Sequence, residues 1–334
     1  LGFVLSALAT LVPSLLAVLI LWWLDRYEKE PLWLLSIVFF WGAAPAVVFS
    51  LVAQLFADPP LRAALGPSVF YPLANMSIVA PLTEETFKAT ILLALFGLYR
   101  AEYNGVMDGI LYGALVGMGF SVVEDVFYLM GSLSEGGWPE WGMTVALRIG
   151  LYNLNHSLFT ACTGIGFGLA STEPRRWKRW LYPVLGGVTA VVLHAIHNGG
   201  IVLAEMTSGL SCLVLTVVDW MGVLAMAVLV WISTEREKRW FEELVPEIES
   251  GVITADEYHV ASAHGIRFRQ GWRILTDHGP WMWFKWTRFV QMIVDLAYRK
   301  HRRRVAGKEA PEDESIVLLR QQIAKVRPEL PVLG

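Results

Sequence analysis

The chain has 334 residues, 55% of them hydrophobic and only 17% charged, with a mean hydropathy of +0.48; an ordinary soluble domain carries about 25% charge. Its 15 Trp and its apolar runs of more than about 18 residues identify a polytopic, all-α membrane protein. The net charge of −3 hides a division, because most Lys and Arg follow Ile232. The two cysteines, Cys162 and Cys212, sit in apolar runs without metal-ligand spacing and read as small hydrophobes.

Seven membrane spans are expected, near residues 3–24, 32–56, 74–99, 106–131, 142–170, 181–204 and 211–233. The first is too long for a signal-peptide core and lacks a small-residue cleavage site. Basic residues follow the first span (Arg26, Lys29), the third (Arg100), the fifth (Arg175, Arg176, Lys178, Arg179) and the seventh (Arg236, Lys238, Arg239). The stretches Ser132–Met143 and Glu205–Leu210 have none. Positive-inside logic then puts the N-terminus outside and the C-terminal tail in the cytoplasm. The mixed-charge loop Asp25-Arg26-Tyr27-Glu28-Lys29-Glu30-Pro31 reads as a solvated interfacial turn.

The third span holds the anomaly. Glu84, Glu85 and Lys88 interrupt an apolar run, and each uncompensated charge in hydrocarbon costs about 2.5–3.5 kcal/mol. Lys88 lies four residues after Glu84, on the same helix face, so the two neutralise each other. Glu85 is left without that partner. Pro81 lacks a backbone N–H and favours a first helical turn, so a half-helix starting there is expected, its N-terminal dipole favouring the carboxylates that follow.

Further polar residues recur in later spans. The fourth carries Gly105, Gly109, Gly113 and Gly117, a small-residue stripe suited to close helix packing. It also brings Asp108, Phe120, Glu124, Asp125 and Tyr128. The fifth supplies Asn153, His156 and Thr160 at helical spacing, and the sixth supplies His194, His197 and Asn198. At about 1.5 Å per residue, Glu124, His156, His194 and His197 share one depth, roughly 10–20 Å from the outer ends of their spans.

After Ile232 the chain becomes charged. Two regions are expected, a transmembrane bundle over 1–233 and a cytoplasmic, partly amphipathic helical tail over 234–334. Trp281, Trp283, Phe284 and Trp286, with Lys285, Arg288 and the basic run Arg299–Arg304, read as a helix lying on the anionic leaflet. Beside a membrane bundle such a run binds lipid rather than nucleic acid. The end, from Gly307 to Gly334, reads as weakly ordered apart from a short helix near Ile316–Val326.

Buried carboxylates with histidines suit a water-activating hydrolase, a metal site, or a proton or ion path. A His-Glu-x-x-His helix, a Gly-x-Gly-Asp motif and a Ser/His nucleophile pattern are all absent. The residues alone leave hydrolase and transporter open, although no internal repeat of the kind transporters show is evident. Five stretches together resemble the PrsW family of membrane proteases, related to the CAAX-protease and bacteriocin-processing group. They are Asp25–Pro31, Glu84-Glu85-Thr86-Phe87-Lys88, Phe120-Ser121-Val122-Val123-Glu124, His156-Ser157-Leu158-Phe159-Thr160 and His194-Ala195-Ile196-His197-Asn198. Asp125 departs from the family's more usual Asn and makes the site more acidic.

The resemblance implies an intramembrane endopeptidase of the glutamate type, without metal, in a prokaryotic plasma membrane. Its substrate would be a membrane-anchored protein, with an anti-sigma factor as the candidate. Glu84 would be the base that activates water, assisted by Glu124, while Glu85 orients it or shares the proton and Lys88 holds the pair's charge. His194 and Asn198 would serve as oxyanion donors, with Phe120, His156 and His197 in support. A zinc-dependent variant held by Glu and His stays open, as does a non-catalytic scaffold of the same fold.

Overall fold

The computed structural model describes residues 1–25, 27, 29–99, 103–306 and 313–331, and every regular element among them is helical. Arg26, Glu28, Arg100, 307–312 and 332–334 lie outside the described residues. In chain order come α1 (Gly2–Leu24), α2 (Leu32–Trp41), α3 (Val47–Leu65), α4 (Phe70–Ala74), α5 (Ala80–Leu98), α6 (Val106–Thr144), α7 (Asn155–Thr172), α8 (Arg176–Val202) and α9 (Leu210–Lys238). Among the described residues, five helical runs are long and apolar enough to cross a membrane: Gly2–Leu24, Leu32–Leu65, Val106–Thr172, Arg176–Val202 and Leu210–Glu249. Two of the expected spans, 106–131 and 142–170, fall within the single run Val106–Thr172, which is 67 residues long. The expected span at 74–99 is not among the five; its helix α5 carries Glu84, Glu85 and Lys88.

The helices are inverted relative to a soluble bundle. The buried residues of α1 are Ser6, Thr10 and Ser14, while Leu8, Val12, Leu15, Leu16 and Leu19 face outward. Lipid solvates leucine as well as a protein core does, so small residues take the helix contacts instead. The centre is α6, buried almost continuously from Met107 to Val122. A Cβ at Gly109, Gly113 or Gly117 would stand 2.2, 2.6 or 2.1 Å from the carbonyl oxygens of Gly164, Thr160 and His156. Only hydrogen fits there, so the stripe brings the α6 backbone onto α7. At its start Asp108, one of the acids expected in the bundle, instead caps α6, accepting the Asn104 and Gly105 N–H groups at 2.5 and 3.0 Å.

Among the described residues, three π-helical segments interrupt the bundle: Gly42–Ala46, Asn75–Val79 and Val145–Leu151. The second corrects the expectation of a half-helix at Pro81. The chain runs from α4 through Asn75–Val79 into α5 with helical dihedrals at every junction, and the Ala80 N–H donates to the Asn75 carbonyl. The widened turn accommodates Pro81 without a break. No free N-terminus, and no exposed helix dipole, stands before Glu84. Such single π turns are frequent at functional sites.

The chain divides into two compact units, Leu1–Leu24 with Glu30–Val230, and Asp25–Lys29 with Trp231–Gly334. The second unit has its own apolar core. Its main element is α12 (His264–Ala306), bent at Gly279 (φ 79°) before Pro280; α10 (Val245–Glu249), α11 (Ala255–Ser262) and α13 (Glu314–Val326) complete it. Trp286, Phe289, Ile293 and Leu296 of α12 pack with Phe241, Leu244 and with Ile316, Leu319 and Ile323 of α13. Trp286 is 2% exposed where Trp281 is 70% exposed. The tail is therefore a folded helical unit, and the apolar face of α12 past Trp286 is spent on protein. Ion pairs close it: Arg320 binds Glu247 through two nitrogens at 2.9 and 2.8 Å, and Arg327 binds Glu257 at 2.7 and 2.8 Å.

In the loop read as a solvated turn, Asp25, Tyr27 and Glu30 are buried and Lys29 and Pro31 half-buried. Tyr27 packs on Phe241 with ring centroids 5.3 Å apart, and its carbonyl accepts from Arg267 at 3.2 Å. In the first unit, Glu30 accepts from the Tyr112 hydroxyl.

Replacing Gly117 with Val should separate α6 from α7. Overpacking of this kind costs about 1–3 kcal/mol, and we expect a lower melting temperature in detergent than for Gly97→Val, since a Cβ at Gly97 meets nothing within 4 Å. Equal melting of the two variants would contradict the close contact.

Candidate active site

The site forms where α5, α6, α7 and α8 converge, around the ammonium of Lys88. That side chain has no exposed surface. Its Nζ donates to Glu85 Oε1 at 2.8 Å and to His156 Nδ1 at 3.0 Å. It stands 3.6 Å from Glu84 Oε2 and 3.9 Å from the centre of the Phe120 ring. A lysine is a donor only, so His156 Nδ1 must be the acceptor and His156 Nε2 carries the proton. That Nε2 donates to Glu124 Oε2 at 2.7 Å. One buried cation thereby fixes a carboxylate on its own helix and a histidine tautomer on another.

The two adjacent glutamates differ sharply. Glu85 is fully engaged: Oε1 accepts from Lys88 and from His194 Nδ1 at 3.0 Å, and Oε2 accepts from Thr160 at 2.8 Å. Glu84 has a weak contact at Oε1, from Gln54 Nε2 of α3 at 3.3 Å. Its Oε2 is buried and has no hydrogen-bond partner among the described residues. That oxygen lies 3.8 Å from His194 Nε2. Since the carboxylate of Glu85 is an acceptor, His194 Nδ1 carries the proton towards it, and in the neutral form of the ring Nε2 presents a lone pair. Phe159 stacks on His194 at 5.0 Å between ring centroids and holds its plane.

The structure also pairs the acids on α6. Arg148, from the π segment Val145–Leu151, donates through Nη2 to Glu124 Oε2 at 2.8 Å and through Nε to Asp125 Oδ1 at 2.5 Å. Its guanidinium lies 3.8 Å over the Tyr128 ring. Ser121 donates to Asp125 Oδ2 at 2.8 Å. The acidity that Asp125 was expected to add is thus compensated by a cation.

Two cavities meet at Glu124. One, about 340 Å³, is lined by Gln54, Glu84, Phe120, Glu124, Tyr128 and Asn198 among others; the second, about 280 Å³, by Glu124, Arg148, Asn155, His156, His197 and Asn198 among others. Asn198 reaches both, and one of its N–H groups is held by the Met76 carbonyl at 2.8 Å. His197 is turned away from the Lys88 cluster, with Nδ1 2.8 Å from Asp219 Oδ2 of α9.

Of the residues singled out in the sequence, Glu84, Glu85, Lys88, Phe120, Glu124, His156 and His194 form one connected network. Asn198 lines its cavities, and His197 belongs to a neighbouring group. Glu84, His156 and His194 each offer one ligand atom, all within 4.8 Å of one another. Both nitrogens of His156 are nevertheless engaged, by Lys88 and Glu124. Arg148, Gln54 and Asp219 escaped the sequence reading, and Phe159 entered it only as part of a matching stretch. Arg148 is the sole Lys or Arg between Arg100 and Arg175, and Asp219 the sole Asp or Glu between Glu205 and Glu235. The cost of charge in hydrocarbon marks both.

The fold and the site define a polytopic helical membrane protein with a buried carboxylate–histidine–lysine network. Residues 30–232 match the family model described as PrsW family intramembrane metalloprotease, and the chain belongs to the PrsW family. It is 28% identical to a Protease PrsW from Geobacillus kaustophilus over 47% of this chain and 63% of that protein. It is 29% identical to one from Halalkalibacterium halodurans over 40% and 56%, and 24% identical to one from Clostridioides difficile over 57% and 76%. The chain thus spans under two thirds of the first two relatives. No solved structure matches it.

Removing one partner of a buried ion pair costs about 3–5 kcal/mol. Lys88→Met should therefore lower the melting temperature in detergent far more than Glu84→Gln, which leaves Glu85, Thr160 and both histidines paired. A larger loss for Glu84→Gln would contradict this assignment of partners.

Proposed function

We propose that this chain is a membrane-embedded endopeptidase of the glutamate type, in which Glu84 activates water for attack on a peptide bond of a membrane-anchored protein. One observation carries the reading. A buried carboxylate oxygen, Glu84 Oε2, has no hydrogen-bond partner among the described residues, belongs to a residue lining a cavity, and lies 3.8 Å from the lone-pair nitrogen of His194. A buried polar atom left unpaired is costly, and one water can bridge a gap of this size. Such a water would donate both protons, one to Glu84 Oε2 and one to His194 Nε2, leaving its oxygen lone pairs for the scissile carbonyl.

The other residues take roles that differ in part from those the family resemblance suggests. Glu85 positions His194 and balances Lys88. His194 holds the water rather than the oxyanion. Asn198, in both cavities, keeps a second N–H for the developing oxyanion. Glu124, held by Arg148 and His156, fixes the wall between the cavities. The membrane is the prokaryotic plasma membrane, crossed seven times with the N-terminus outside, and an anti-sigma factor is the substrate to test.

A second reading is supported by the family's description as metalloproteases and by the grouping of Glu84, His156 and His194. A catalytic zinc takes three protein ligands. The donor set as arranged does not fit one: His156 has no free lone pair, and the Lys88 ammonium lies 3.0 Å from His156 and 3.6 Å from Glu84. No step is assigned to a metal.

Purified protein should cleave a pool of fluorogenic single-span peptides and continue to do so with 1,10-phenanthroline present. Glu84→Gln should lower the rate at least about a hundredfold, in keeping with general-base catalysis. Full cleavage by Glu84→Gln would contradict the role of Glu84. Chelator-sensitive cleavage together with stoichiometric bound zinc would favour the metal-dependent reading.

A further inference from the structure

An acid in the middle of an apolar membrane helix needs a reason, and Asp219 of α9 is 5% exposed. Its Oδ2 accepts from Asn155 Nδ2 at 2.9 Å and lies 2.8 Å from His197 Nδ1. Asn155 Nδ2 is also 3.0 Å from His197 Nδ1. An amide nitrogen and a carboxylate oxygen that both lie beside one ring nitrogen fix its state. If Nδ1 carried a lone pair, that pair would face the carboxylate oxygen at 2.8 Å. If it carries the proton, Asp219 Oδ2 accepts from both neighbours and nothing is left unpaired. Asp219 therefore selects the Nδ1–H tautomer of His197, and Nε2 is the nitrogen left for the rest of the site.

The surroundings make that nitrogen useful. Tyr152 meets the His197 ring edge-on at 5.0 Å, and Phe159 packs beside it at 6.0 Å. His197 lines the 280 Å³ cavity together with the charged or titratable Glu124, Asp125, Tyr128, Arg148 and His156, and with Tyr152 and Cys212. Glu84 lines the other cavity, and Glu124 and Asn198 are common to both. The site thus has a carboxylate on one side of the Glu124 wall and an oriented imidazole on the other. A buried Asp that holds the far nitrogen of a cavity-facing His is how a protein aims a proton carrier.

We infer that His197 is a second acid–base group of the reaction and that Asp219 is its positioning residue. The inference rests on the hydrolase reading given above. Peptide hydrolysis forms a bond from the water oxygen to the carbonyl carbon and breaks the bond from that carbon to nitrogen. Glu84 takes one water proton as the first bond forms. Protonated Glu84 passes that proton through water in the cavities to the Nε2 lone pair of His197, and His197 Nε2–H then gives it to the departing amine nitrogen as the second bond breaks. Water is consumed, one carboxylic acid and one amine are produced, and both side chains return to their starting states. The polypeptide on the amine side leaves through the cavity lined by His197.

The test uses the full chain in detergent with ¹⁵N-labelled histidine rings, His197→Gln serving to assign the His197 signals. Wild type should show His197 as the Nδ1–H tautomer. Asp219→Asn should shift its ring ¹⁵N signals towards the other tautomer, because Asn offers a donor as well as an acceptor. On the same fluorogenic peptide pool, Asp219→Asn should lower kcat at least about tenfold, with KM within about twofold, and alter the pH profile of kcat. Asp219→Glu should recover most of the rate. An Nε2–H tautomer in wild type would overturn the inference, as would a wild-type kcat and pH profile in Asp219→Asn. So would a rate loss that merely follows loss of folded protein. Failure of the hydrolase reading shows separately, as equal cleavage by wild type and Glu84→Gln, while the tautomer signals still report on Asp219.

Discussion

The buried ammonium of Lys88 is the constraint on which the rest of the site depends. A cation with no exposed surface can persist within a membrane bundle only if its protons are taken, and two of the takers, Glu85 and His156, lie on different helices. Satisfying Lys88 therefore fixes the approach of α5 to α7. It also sets the His156 tautomer, which delivers a proton to Glu124 and links α6 to the same cluster. Glu85, spent on Lys88, Thr160 and His194, orients the ring that faces Glu84. Of the two adjacent glutamates, Glu84 keeps a buried oxygen with no hydrogen-bond partner among the described residues. The contrast between two adjacent glutamates thus follows from where one lysine points.

That arrangement requires backbones close enough for short polar contacts. The glycines of α6 provide this, since Gly117 faces the carbonyl of His156 and lies two helical turns before Glu124. In lipid, where apolar burial does not drive helix association, close backbone packing and interhelical hydrogen bonds carry the contact. The glycine stripe and the polar network therefore support each other: the first brings α6 against α7, and the second is long enough to reach only if it does. The π segments act locally. Asn75–Val79 carries the chain past Pro81 towards Glu84, and Val145–Leu151 places Arg148 beside Glu124 and Asp125.

Much of this was legible in the sequence, for a physical reason. Charge in hydrocarbon is expensive, so Glu84, Glu85, Lys88, Glu124, His156 and His194 announce a buried cluster, and glycine at every fourth residue announces a close helix contact. The same cost marks Arg148 and Asp219, but each stands alone in an apolar run, and a single charge does not reveal its partner. Pro81 was ambiguous because a missing N–H can end a helix or be absorbed by a widened turn. The fate of each aromatic in the tail was beyond the sequence, because an amphipathic helix has one periodicity whether its apolar face meets lipid or protein; Trp286 packs on its own unit's core, and Trp281 does not. The division of labour between Glu84 and Glu85 was beyond the sequence, since it depends on which oxygen each neighbour reaches.

The most direct test of this account is an experimental density map fine enough to separate ligands between Glu84 and His194. The account predicts a water at ordinary hydrogen-bond distance, about 2.6–3.2 Å, from both Glu84 Oε2 and His194 Nε2, with Lys88 still bound to Glu85 and His156. A metal bonded at about 2.0–2.2 Å to Glu84, His156 and His194, with Lys88 displaced from His156, would contradict it.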